Sequence, residues 1–174
     1  MIVVDIGNTD TVIGVYFKKK LKNIFRFDTK KIKTNKNLLV FFKKNKIFDI
    51  NQDYKICIIS SVVFSKDKIF ISFFKKNNFK SLSININNIS KKLKFNYNPY
   101  QLGADRIANT YAAINKYGDN SIVIDFGTAT TFDVIKNKVY EGGIIAPGIN
   151  ISHEALVKKA SKLDQILIKK ITKI

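Results

Sequence analysis

The chain has 174 residues, enough for one domain or two small lobes and for a core that buries roughly 70% of the unfolded surface. Hydrophobic residues make up 45% and aromatics 12%, which excludes a disordered chain; the single cysteine, Cys57, excludes a disulfide framework and a zinc cluster. The net charge of +18 rests on scattered lysine pairs, with Arg26 and Arg106 the two arginines, so it reads as solvated faces and AT-rich coding bias rather than a nucleic-acid surface.

Residues 2–16 read as a hairpin of two strands, because β-branched runs flank the breaker Gly7-Asn8-Thr9. Gly14 and Lys18-Lys19-Lys20 mark the next turn, and 21–27 alternates as a third strand. In 37–46 the apolar residues Leu38, Leu39, Phe41 and Phe42 recur at helical spacing. Residues 54–60 form a buried strand ending at Ser60-Ser61, with Cys57 a small core residue. A helix over 65–76 turns Ile69 and Phe73 inward, and 81–86 is a short strand. The polar Asn- and Lys-rich stretch 85–98 separates two lobes, 1–95 and 96–174. Pro99 introduces a helix over 101–116 with Leu102, Ile107, Tyr111 and Ile114 on its apolar side. After the turn Gly118-Asp119-Asn120 come a second hairpin over 121–135, a strand over 139–145 ended by Pro147-Gly148, and a helix over 151–162. Strands followed by alternating helices and strands make the chain α/β. No apolar run approaches the roughly 20 residues of a membrane helix, and Asp5 and Asn8 interrupt the first one. A cytoplasmic protein is expected, with no membrane or specific nucleic-acid partner.

Two segments say nearly the same thing. Ile2-Val3-Val4-Asp5-Ile6-Gly7-Asn8-Thr9-Asp10-Thr11 and Ile122-Val123-Ile124-Asp125-Phe126-Gly127-Thr128-Ala129-Thr130-Thr131 each run from a β-branched strand through an Asp to a Gly among hydroxyl residues. Such a turn lets backbone N–H groups approach an anion, hydroxyls donate to phosphate oxygens, and the Asp hold a cation or its water shell. One copy alone is an ordinary hairpin; the recurrence points to a duplicated unit that grips a polyphosphate from both sides. A third segment, Leu102-Gly103-Ala104-Asp105-Arg106, sets an Asp-Arg pair at a helix start. It is either a first-turn ion pair or a catalytic pair, Asp105 taking a proton from a hydroxyl and Arg106 holding a carboxylate bidentately. The fourth, Glu141-Gly142-Gly143-Ile144-Ile145-Ala146-Pro147-Gly148, carries paired glycines that form a bulge or admit a ligand. His153, the only histidine, reads as a surface residue. No Gly-Lys-Ser/Thr phosphate loop is present.

These four segments, in this order and spacing, resemble the type III pantothenate kinases of the actin, hexokinase and Hsp70-like ATPase superfamily. The resemblance spans almost the whole chain. It implies two similar lobes of the actin-like ATPase (ribonuclease H-like) fold. By the same resemblance Asp5, Ile6, Gly7, Asn8, Thr9, Asp10, Thr11 and Val12 line the ATP phosphates, with Thr128 opposite. Gly103, Ala104, Asp105 and Arg106 contact pantothenate; Asp105 is the general base and Arg106 pairs with the carboxylate. Asp125 binds potassium or ammonium, magnesium accompanies ATP, and the protein is a homodimer. Asn96 stands where members usually carry a Tyr, seven residues before the Gly of the substrate motif, and the adjoining Tyr97 is the expected substitute. Members continue well beyond Pro147-Gly148. The expectation is therefore a truncated gene, a fragment or a pared-down member, with an incomplete second lobe, exposed strand residues at 122–124 and 144–145, and weakened ATP binding. The implied reaction is ATP-dependent phosphorylation of pantothenate to 4′-phosphopantothenate, the first step of coenzyme A synthesis. The alternatives are a non-catalytic regulator like the Bvg accessory factors, an inactive shortened kinase, and a basic nucleic-acid-binding protein.

Overall fold

Two twisted sheets share one helix. A computed structural model describes residues 1–50, 55–89, 93–96 and 98–159. In the first sheet, β1 (Ile2–Ile6), β2 (Asp10–Phe17) and β3 (Lys20–Asp28) form an antiparallel meander. β4 (Ile56–Ser61) and β5 (Lys80–Ser83) continue it in parallel from the other side of β1, giving the order β3-β2-β1-β4-β5. Parallel neighbours need crossovers, and α1 (Asn35–Lys44) and α2 (Phe64–Lys76) supply them.

Alternation decides which face these helices cover. Ile2, Val4 and Ile6 of β1 are buried together with Ile13 and Val15 of β2 and with Cys57 and Ile59 of β4. Phe42 of α1 and Phe70, Phe73 and Phe74 of α2 close over them. The Phe42 ring lies 4.8 Å from Phe73 and 4.9 Å from Phe48, centroid to centroid, so the core is an aromatic cluster laid on a β-branched floor.

The second sheet repeats the meander. β7 (Ser121–Phe126), β8 (Ala129–Lys136) and β9 (Val139–Pro147) are antiparallel neighbours, and the two-residue β6 (Lys94–Phe95) runs parallel to β9, giving the order β6-β9-β8-β7. β6 thus belongs to the second sheet although it precedes residue 96. The repeat extends to the turns. Lys18-Lys19 and Asn137-Lys138 join the second and third strands of their sheets with positive φ at both residues, as a tight hairpin requires. Gly14 is not part of that turn; it lies inside β2, paired with Val3 and Ile24.

α4 (Ala104–Tyr117) packs against β4 on one side and against β7 and β8 on the other. Ile107 of α4 joins Leu93, Leu102 and Tyr140 in a second, smaller core. The opposite face of the second sheet is open among the described residues: Ile122 is 65% exposed and Ile144 68%, with Ile124 also exposed, and Ile145 is exposed on the other face. Among the described residues this sheet has no counterpart of β4 and β5, as expected of an incomplete lobe.

Local chemistry moved several boundaries. Thr34 and Asn37 form a reciprocal capping box, so α1 begins before residue 37 and Asn37 is its third residue. Asn85 and Asn88 exchange side-chain bonds with each other's backbone N–H, ending the strand expected over 81–86 at Ser83 and starting the short α3 (Ile86–Ile89). The segment Pro99–Gln101 is a 3₁₀ turn capped by Asn98, so α4 starts at Ala104. α5 (Ile149–Lys159) starts before the expected residue 151; the expected residues 160–162 lie outside the described ones, as does Tyr54 of the expected strand.

The aromatic core yields a direct expectation. Phe42 is fully buried among Phe48, Phe73 and Phe74. Phe42→Ala will destabilise the chain by about 3–5 kcal/mol, read as a lower midpoint in urea unfolding.

Candidate active site

The two Asp-Gly-Thr turns meet. Thr9 Oγ1 and Thr128 Oγ1 are 2.9 Å apart, although their turns join strands of different sheets. Each turn is closed by its own backbone: Gly7 N–H donates to Asp10 O at 3.0 Å and Gly127 N–H to Ala129 O at 2.9 Å.

Behind the first turn stands Thr29, a residue that sequence reasoning passed over. It is buried, its N–H donates to Thr9 O at 2.9 Å, and its hydroxyl donates to Gly7 O at 2.8 Å. Thr11 Oγ1 lies 2.9 Å from the same hydroxyl. Behind the second turn stands Gly148, whose N–H donates to Thr128 O at 3.1 Å. Gly148 is buried, and a Cβ there would run into the carbonyl oxygens of Thr128 and Gly127.

The candidate phosphate residues divide by position. Gly7, Asn8, Thr9 and Thr128 sit at the turns, with Asn8, Thr9 and Thr128 open to solvent. Ile6 and Thr11 are fully buried in the first sheet, and the Thr11 hydroxyl is held by Thr29. Asp10 pairs with Arg26 at 3.0 Å, an exposed bridge of small energetic weight, and Val12 is half-buried inside β2.

Asp5 lies within electrostatic reach of two other carboxylates, Asp105 and Asp125. Asp5 lies on the face of β1 turned away from the Phe core, because Val4 and Ile6 occupy that core. Partial desolvation in the cleft holds its carboxyl above the usual carboxylate range. The Ser60 side chain and, more distantly, Arg26 work against this; the negative charges of Asp105 and Asp125 add to it. Asp105 is in the first turn of α4, and its Oδ1 accepts from Arg106 N–H at 2.7 Å. A Cβ on Gly103 would lie 2.5 Å from that Oδ1, so the glycine makes room for the carboxylate over the helix start. One turn further along α4, Asn109 Nδ2 donates to Asp125 Oδ2 at 3.0 Å and ties the helix to the second phosphate turn.

Arg106 points inward. Its Nε and Nη2 lie 2.9 and 2.7 Å from Asp133 Oδ1, and Nη2 donates to Tyr140 Oη at 3.0 Å. Burial disfavours its charge, but the bond to Asp133 and that residue's charge outweigh this. The bidentate grip expected on a substrate carboxylate is thus engaged within the protein. Nη1 is the nitrogen with no partner among the described residues. The signal for Asp133 was available: a lone Asp inside the apolar run Thr131-Phe132-Asp133-Val134-Ile135. Asn96 donates to Glu141 Oε2 at 2.9 Å, and Tyr97 lies outside the described residues.

Beside Gly103 and Ala104 opens a cavity of about 400 Å³, walled by Val62, Phe64, Ile84, Tyr100, Leu102 and Ile107 among others. Among the described residues no three acidic, His or Cys side chains converge as a metal cage. The carboxylates and hydroxyls about the two turns are oxygen donors of the kind that suits a hard cation such as magnesium held through phosphates and water. His153 is half-buried, with Nε2 unpartnered among the described residues.

Gly148→Ala is expected to push the backbone of the second turn, at Gly127 and Thr128, out of line while the Phe core stays intact. MgATP affinity measured by calorimetry should fall on the order of 10-fold, since closely fitted phosphate contacts are each worth about 1–3 kcal/mol.

The family model described as type III pantothenate kinase matches residues 1–174. A type III pantothenate kinase of Pelagibacter ubique is 41% identical over 180 aligned positions, covering 100% of this chain and 69% of that protein. One from Halalkalibacterium halodurans is 42% identical, covering 98% of this chain and 68% of its own length. The chain therefore spans about two thirds of the length of these relatives. Among solved structures, a Baf family transcriptional activator from Campylobacter jejuni superposes with a TM-score of 0.54 at 17% identity, covering 100% of this chain and 69% of that one. The ethanolamine utilization protein EutJ from Carboxydothermus hydrogenoformans gives 0.50 at 13% identity, covering 84% and 51%. At those identities the structures speak for the shared actin-like fold alone. The sequence match over the whole length is of another order, and by it the chain belongs to the type III pantothenate kinase family.

Proposed function

We propose that this chain transfers the γ-phosphoryl group of ATP to the hydroxyl of pantothenate, giving 4′-phosphopantothenate and ADP, the first step of coenzyme A synthesis. The observation that carries the reading is the meeting of Thr9 and Thr128 at 2.9 Å. Two hydroxyl-bearing turns from different sheets converge on one point, where phosphate oxygens would take over the bonds that the hydroxyls now make to each other.

The mechanism is mainly positioning and electrostatics. Asp105 Oδ1 is occupied by a backbone N–H, so Oδ2 is the atom that takes the proton. As the substrate hydroxyl loses that proton, its oxygen attacks the γ-phosphorus, and the bond to the β–γ bridging oxygen breaks. Gly7, Asn8 and Thr9 of the first turn, with Thr128 of the second, hold the phosphates, and Gly103, Ala104, Asp105 and Arg106 hold pantothenate. Tyr97 remains the proposed substitute for the usual tyrosine. The mostly apolar cavity beside Gly103 suits the branched hydrocarbon part of such a substrate. Magnesium bound with ATP supplies charge neutralisation on the phosphates. Asp5, Asp105 and Asp125 crowd negative charge into the same cleft, which supports the presence of cations there. A homodimer belongs to this proposal on the strength of the family resemblance alone.

The reading is tested by incubating the purified chain with ATP, magnesium, potassium and pantothenate and measuring phosphorylated product. Absence of product from folded protein overturns it. Asp105→Asn should keep the fold and lower turnover on the order of 10²- to 10⁴-fold, as expected for loss of a general base. A second outcome concerns the monovalent cation. Wild-type rates should be higher in potassium than in sodium, and Asp125→Ala should abolish both the rate and that difference; equal rates in the two buffers remove Asp125 from cation binding.

A further inference from the structure

Arg106 is held by a device that the proposed reaction does not by itself explain. Asp133 is fully buried in β8, and a single oxygen, Oδ1, receives Arg106 Nε at 2.9 Å, Arg106 Nη2 at 2.7 Å and the Tyr140 hydroxyl at 2.8 Å. Tyr140, itself 1% exposed in β9, also accepts from Nη2 at 3.0 Å. Its ring is fixed in turn against Phe95 of β6, with centroids 5.8 Å apart. Gly143 completes the arrangement. A Cβ there would strike Arg106 Nη2, Phe132 O and the Asp133 carboxylate, so a glycine is required for the guanidinium to lie across β9.

A buried ion pair of this kind is a weak source of net stability, because desolvation consumes most of its Coulomb energy. What it does supply is orientation. Nε and Nη2 are committed, and the guanidinium plane is fixed at the start of α4, next to Asp105. Nη1 is left to serve a ligand. A preset donor binds a carboxylate more tightly than a mobile one, since the entropy of ordering has already been lost in folding.

We propose that Asp133 and Tyr140 are positioning residues for substrate selection: they hold Arg106 so that Nη1 meets the carboxylate end of the substrate, and Gly143 gives them the space. This rests on the reading of Arg106 as the residue that meets the pantothenate carboxylate. It assigns that selection to strands β8 and β9, away from the substrate motif itself.

Calorimetric titration of the full chain tests it, with pantothenate and with pantothenol, the neutral alcohol that lacks the carboxylate. Wild-type protein should bind pantothenate more tightly than pantothenol. Tyr140→Phe keeps the ring against Phe95 and removes the hydroxyl; it should weaken pantothenate binding about 3- to 10-fold, the worth of one hydrogen bond, and leave pantothenol unchanged. Asp133→Asn should shrink the preference at least as much, with MgATP affinity unaltered. Wild-type discrimination that survives both substitutions overturns the positioning role while leaving Arg106 in place. Equal loss for both compounds also overturns it, as the sign of general damage. If wild-type protein binds the two compounds alike, the carboxylate reading of Arg106 fails, and this proposal falls with it.

Discussion

The seating of α4 between the two sheets is the constraint on which the site depends. One face of the helix lies along β4 and the other along β7 and β8. Two polar tethers fix its rotation and its height: the buried Arg106–Asp133 pair and the Asn109–Asp125 bond one turn later. Residues three or four apart on a helix share a face, so the two tethers and Asp105 are set by one rigid element. A small tilt of α4 would move the proposed base relative to both phosphate turns. Hydrophobic contact alone would not prevent such a tilt, since it is non-directional. The polar bonds are what make the placement specific.

The turns themselves are not free loops. Thr29 bonds the first from behind through both its N–H and its hydroxyl, and Gly148 bonds the second. Each turn therefore presents its outer hydroxyl from a braced backbone. This is the arrangement expected when charge must be met by dipoles already in place and not by dipoles that reorganise during the reaction.

Electrostatically the molecule is divided. The overall charge of +18 attracts anions from a distance, while in the cleft the negative charges of Asp105 and Asp125 act against ionisation of Asp5. Desolvation, with the charges of Asp105 and Asp125 added to it, raises Asp5 above the ordinary carboxylate range.

Much of this was legible in the sequence because it is written in local chemistry. The repeated Asp-Gly-Thr turns, the Gly-Ala-Asp-Arg segment and the β-branched alternation of Ile2, Val4 and Ile6 specify strands, turns and the candidate chemistry without reference to distant residues. Their order specifies the family. Element ends were less legible where Asn side chains compete with the backbone, as at Asn37, Asn85 and Asn98. The partners of the site residues were not legible at all. The sequence offers no local reason for Arg106 to choose Asp133 over a ligand, for Thr29 to brace a turn from the end of β3, or for Gly143 to be empty space for a guanidinium. Those depend on which residues two sheets bring together across a shared helix. Periodicity fixes the face a side chain occupies; only tertiary packing decides what lies opposite that face.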